Sequence, residues 1–143
     1  MKYNLCCISK TLATEGHKFQ TMTWHRFSQL DREEAVATVS ERTLNNIRVT
    51  YKILQRCAAK GWGYRVSSNL FPLLTYEVAN LKLEDSPDYI DIEAALADCA
   101  SIIKYNDIRV SCHPDQFNVL ASMGKPQVDK TIKELNHHGW LMD

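Results

Sequence analysis

Apolar and polar positions repeat along this chain with two different periods, and the switches between them mark out its elements. Tyr3 to Ile8 is a short, mostly apolar run that predicts a first strand, and Ser9 to Gln29 is polar with few periodic signals and reads as a long loop. From Asp31 the period becomes helical. Asp31 stands as N-cap with Glu34 in the capping-box position. Val36, Leu44, Ile47, Tyr51, Leu54 and Ala58 then recur at three- and four-residue steps, with a gap at Ser40, and Gly61 supplies the stop. Tyr64 to Ser67 reads as a second strand. A loop runs from Pro72 to Pro87, and a second helix carries Ile92, Leu96, Cys99 and Ile103 on one face. Asn106-Asp107 signals a turn and Ile108 to Cys112 a third strand; Pro126 then opens a third helix with Val128, Ile132, Leu135 and Gly139 on one face.

The order is βαβαβα, which predicts parallel strands joined by crossover helices. Arg65-Val66-Ser67 and Arg109-Val110-Ser111 repeat the same tripeptide in successive strands. Side chains alternate across a strand, so Arg65 and Ser67 share one face, as do Arg109, Ser111 and His113, while Tyr64, Val66, Ile108, Val110 and Cys112 point to the other. The apolar set should meet the helices. The arginines imply either a buried ion-pair network or an anion site, and spacing alone favours the network.

Composition adds little to this picture and removes some options. Lys+Arg and Asp+Glu are both 17 in 143 residues, so there is no general basic excess to advertise a nucleic-acid partner. With 45% hydrophobic residues the chain can bury a core, consistent with a single domain over 1–143. The five cysteines form no CxxC pair and no leader precedes them, which suggests reduced thiols and a cytoplasmic setting. No stretch approaches the ~18 apolar residues of a membrane span.

Chemistry concentrates in Ser111-Cys112-His113-Pro114-Asp115-Gln116-Phe117, which places a histidine at the C-terminal end of a strand, the functional rim of α/β folds. Imidazole is the commonest side-chain metal ligand, although a lone strand-end histidine is more often a satisfied core or loop residue. His137 and His138 are helix neighbours that share no face and make a poor metal pair, so they read as surface or packing residues. His17, Lys18, His25 and Arg26 lie in the first loop, where the residues themselves favour a solvated loop.

Arg65 to Leu73 (RVSSNLFPL) and Arg109 to Phe117 (RVSCHPDQF) together resemble the two signature stretches of the UV damage endonuclease family. The resemblance runs from about Leu5 to Asp143, and Asn45 in the long helix falls at a family position. It implies a (β/α) TIM-type barrel, of which about the first three βα units are here. It implies an endonuclease that nicks double-stranded DNA just 5′ to UV photoproducts with a cluster of divalent metals, manganese being typical. On that basis His113 is a metal ligand, Gln116 and Phe117 probe the lesion, and Arg65, Arg109 and Asn45 serve phosphate or structure. The chain departs from the family in three ways. Thr75-Tyr76 stands where a further histidine ligand is expected, with Glu77 the nearest substitute. Leu5 replaces an aromatic. The later strands, which carry most family ligands, are absent. Open sheet edges would then favour self-association or a complementary fragment. The alternative to an active enzyme is a non-catalytic fragment, or one half of a split nuclease.

Overall fold

The computed structural model describes residues 3–114 and 118–143. Its three strands, β1 (Asn4–Cys6), β2 (Gly63–Val66) and β3 (Val110–Cys112), form a parallel sheet in the order β1-β2-β3. The β1–β2 connection holds α1 (Lys10–Thr14), α2 (Trp24–Ser28) and the long α3 (Arg32–Lys60). Two 3₁₀ turns (Glu77–Ala79 and Leu83–Asp85) and α4 (Tyr89–Tyr105) connect β2 to β3, and α5 (Lys125–Met142) follows. The βαβαβα reading therefore holds as an α/β arrangement consistent with part of a barrel. Among the described residues no helix is long and apolar enough to cross a membrane.

The register pairs Leu5 with Tyr64 and Tyr64 with Val110, and in the next row Cys6 with Arg65 and Arg65 with Ser111. The first row faces the helices: Tyr64, Val66 and Ile108 are buried there with Ile47, Ile53, Leu54, Ile92 and Cys99, and Leu5 and Val110 pack against them. Each fully buried aliphatic contributes about 1.5–3 kcal/mol. Gly63 is required at the sheet's centre. A Cβ there would clash with Asn4 Oδ1 and lie 2.8 Å from the Arg109 carbonyl oxygen.

Helix α3 begins and ends where its sequence predicts, with Gly61 left-handed at φ 66°. Its stripe is broader than the expected one, because α3 packs against both the sheet and α4. Leu44, Ile47 and Leu54 are buried, and so are Ala35, Val39, Asn46, Ile53 and Cys57. Asp31 makes no side-chain capping bond, so the capping box does not form; Glu33 and Glu34 act only through the field of the first turn. Ser40 is not a gap in the stripe. It is buried, donates to Asp88 Oδ2 (2.8 Å) and accepts from the Asp88 N–H (3.1 Å), pinning the start of α4.

Three further expectations need correction. The first loop contains α1 and α2, each started by a side-chain cap, Ser9 Oγ on the Leu12 N–H and Thr23 Oγ1 on the Arg26 N–H; five residues are too few to print a period. The third strand starts only at Val110. Helix α5 is rotated from its predicted face: Ile132 is 45% exposed and Gly139 is exposed, while Thr131 and His138 are buried. The Thr131 hydroxyl is satisfied there, donating to the Gln127 carbonyl (2.9 Å) and accepting from the Val119 N–H (3.0 Å).

Candidate nucleic-acid interface at the strand ends

In parallel strands linked by crossover helices, each helix starts at the C-terminal edge of the sheet. That edge therefore collects the residues after β1, β2 and β3, together with the start of α3. The alternation places Cys6, Arg65 and Ser111 in one row on the face away from the helices, and Arg109 on the same parity, as read from the sequence. Arg65 is half-buried with its Nε lacking a hydrogen-bond partner, and the Cys7 side chain beside it favours the charged guanidinium. Arg109 and His113 are exposed.

Among the described residues the favoured ion-pair network is not formed. Among the described residues no carboxylate lies within ion-pair distance of Arg65 or Arg109, and the ion pair that does form, Arg56–Glu15 at 3.5 Å, lies elsewhere.

Helix α3 organises the loops around this edge. Asn45 donates from Nδ2 to the Lys18 carbonyl (2.9 Å), so its amide serves the backbone of the first loop, the structural half of its expected role. Its neighbour Asn46, fully buried, does more. It accepts from the Gln20 N–H (2.7 Å) and donates toward the Gln20 (2.8 Å), Leu70 (3.2 Å) and Asn69 (3.3 Å) carbonyls, joining the loops that follow β1 and β2. Arg42 donates to the Thr21 carbonyl (2.5 Å), and Arg32 to the carbonyls of Ala79 (2.6 Å) and Asn80 (2.7 Å). The only sequence signal for Asn46 is a polar residue in step with Val39, Thr43, Thr50 and Ile53.

Thr75 and Tyr76, where a ligand histidine was expected, are engaged otherwise. The Thr75 hydroxyl donates to Glu134 Oε1 of α5, and the Tyr76 ring lies 5.5 Å from that of Trp24. Glu77 is exposed at the start of its 3₁₀ turn. Leu5 packs into the main core, on the helix side of the sheet, so it does not present itself at this face. Among the described residues no three His, Cys, Asp or Glu side chains converge as a metal site. His113 is thus a single prospective ligand, and stable divalent coordination generally takes three or more. Gln116 and Phe117 lie outside the described residues.

Alpha5 closes one side of the edge. Glu134 and His137 line a pocket of about 210 Å³ with Thr21, Asn69 and Thr75. His137 packs edge-on to Phe71 (5.1 Å) and stacks on Trp140 (5.6 Å). Burial holds its pKa below the ordinary imidazole value, His138 adds to this, and Glu134 opposes it. His138 is buried with neither ring nitrogen hydrogen-bonded. The His137 ring is thus engaged in packing against Phe71 and Trp140.

A sequence model of the family described as UV-endonuclease UvdE matches residues 1–143. The chain belongs to this family. A UV DNA damage endonuclease of Bacillus cereus (strain Q1) is 30% identical over 127 residues, covering 87% of this chain and 38% of that protein. One of Nostoc sp. (strain PCC 7120) is 30% identical over 129 residues, covering 88% and 38%. A crystal structure of SacUVDE superposes with a TM-score of 0.78 at 29% identity, over all of this chain and 45% of that one. The chain thus spans less than half the length of these relatives. The resemblance carried by the two signature stretches is borne out at the level of the family.

Proposed function

We propose that this UvdE chain forms the first three βα units of a closed (β/α) barrel whose activity is incision of double-stranded DNA 5′ to UV photoproducts. The observation that carries the reading is the pair of strand-end signatures. They lie on adjacent parallel strands, with Arg65, Ser111 and Arg109 on the helix-free face and His113 just beyond β3. A barrel interior of this kind meets an anionic backbone at its C-terminal rim, and the two arginines supply charge that nothing among the described residues neutralises.

In this reading His113 is a ligand for a divalent cation, manganese being the family expectation. Held there with ligands beyond His113, such a cation would lower the pKa of a bound water and would offset charge on the leaving oxygen. The described residues fit that requirement only in part, since no three His, Cys, Asp or Glu side chains among them converge and His113 offers one imidazole. Gln116 and Phe117 are proposed to enter the duplex at the lesion, the amide hydrogen-bonding base edges and the ring stacking.

The test is strand incision by the purified protein on a duplex with one defined photoproduct, manganese added, and an undamaged duplex alongside. A nick just 5′ to the lesion supports the reading, with His113→Ala losing the nick while keeping damaged-DNA binding. Gln116→Ala with Phe117→Ala should lose discrimination between the duplexes. Folded protein that binds damaged DNA without nicking it favours the second reading, a non-catalytic fragment or one half of a split nuclease. Restored incision on adding a complementary polypeptide, or a self-associated form that nicks, would separate its variants.

A further inference from the structure

Tyr76 occupies the expected ligand position, yet its ring is committed to Trp24, and this points to a different use. Trp24 is in α2, just before α3, and Tyr76 is in the connection after β2, so their contact joins two loops at the C-terminal edge. The arrangement is built from below. Trp24 stacks on buried Phe27 (5.6 Å, 24° between planes), and the Arg32 guanidinium lies 5.5 Å from the Phe27 ring. Arg32 is held in turn by the Ala79 and Asn80 carbonyls. A cation, three rings and two backbone acceptors thus fix a tilted Trp24–Tyr76 pair whose outer ring remains 39% exposed.

Arg26, on the same short helix as Trp24, is exposed, and no carboxylate among the described residues lies within ion-pair distance of it. Lys18 and His25 are also exposed on this loop, with the His25 Nε2 only 3.1 Å from Gln29 Nε2. Glu77, next to Tyr76, and Asp31, Glu33 and Glu34 at the start of α3 are exposed carboxylates close by in the chain. An exposed ring on a rigid base, with an exposed guanidinium two residues along the supporting helix, offers a nucleic-acid strand both a face for a base or sugar and a charge for a neighbouring phosphate.

We propose that Trp24 and Tyr76, with Arg26, form a contact for one DNA strand flanking the lesion; this rests on reading the chain as part of a DNA endonuclease. The contact adds affinity without reading damage, because a ring face accepts any base and a guanidinium any phosphate.

The experiment is fluorescence anisotropy with labelled duplexes of equal length, with and without one photoproduct, over a range of salt. Tyr76→Ala should weaken both duplexes by the same factor, about 5- to 150-fold if one stacked base is lost. Arg26→Gln should weaken both and lower the salt slope by about 1. Tyr105→Ala provides the control, because Tyr105 is 91% exposed but ends α4 at the opposite edge of the sheet. Binding of both variants at the wild-type level, or a loss on the damaged duplex alone, overturns the proposal while leaving the endonuclease reading standing. Wild-type protein that binds neither duplex overturns both. Tyr76 and Arg26 lie at the surface, so circular dichroism should match wild type.

Discussion

Replacing Asn46 tests whether the edge of the sheet is organised by a buried amide. The Asn46→Ala variant loses the bond from the Gln20 N–H at 2.7 Å and those to the Gln20, Leu70 and Asn69 carbonyls at 2.8, 3.2 and 3.3 Å. Leaving a buried backbone donor unmet costs about 1–3 kcal/mol, and each net hydrogen bond lost costs about 1 kcal/mol. The small void adds to this. Since two N–H groups are shared among three carbonyls, the longer contacts count for less, and the total is about 3 kcal/mol. For a chain of this size that is on the order of 10 °C in melting temperature. Asn46→Asp should be at least as damaging, because it turns a carboxylate oxygen toward carbonyl oxygens. Asn46→Leu restores volume without polarity and should recover only the cavity part. Urea unfolding of the four proteins, with hydrogen exchange at residues 18–22 and 68–72, reads the effect. An Asn46→Leu variant as stable as wild type, or an Asn46→Asp variant within about 1 kcal/mol of it, would refute the reasoning.

Four other outcomes follow from the same packing. Burial lowers the His137 pKa relative to the unfolded chain, so the unfolded state takes up the proton first; stability should fall as pH drops below the unfolded value of about 6.5. His137→Gln should flatten that slope in urea titrations between pH 7.5 and 5, and an unchanged slope would count against it. Burial pushes the Cys99 thiol up to about 12 and raises Cys57 as well, whereas Cys6 is exposed; a thiol reagent at pH 8 should label Cys6 in folded protein and reach Cys57 and Cys99 only on unfolding. Gly63→Ala should destabilise by about 2 kcal/mol or more in thermal melts, since the new methyl meets the Arg109 carbonyl, which cannot swing aside. Asp107→Gly should stabilise by roughly 0.5–1 kcal/mol by the same measurement, because Asp107 sits exposed at φ 48° in the turn before β3.

Much of this protein can be read along the chain. The helical repeat with its glycine stop located α3, and alternation sorted Arg65, Arg109 and Ser111 from Tyr64, Val66 and Val110. The joint signatures pointed to the UvdE family. Each of these is a local signal, because a period or a motif reports which way a side chain faces relative to its own element. What the chain's order could not convey is which distant polar groups meet. Ser40 with Asp88 is separated by 48 residues, Tyr64 with Cys7 by 57, and Asn46 with Gln20 by 26. The same limit hid the rotation of α5, where a satisfied Thr131 and the rings on Phe71 outweighed Ile132, and the use of Tyr76 against Trp24. Periodicity records hydrophobic burial, whereas hydrogen bonds and ring contacts between loops depend on where the fold brings their backbones, and that emerges only once the helices are docked on the sheet.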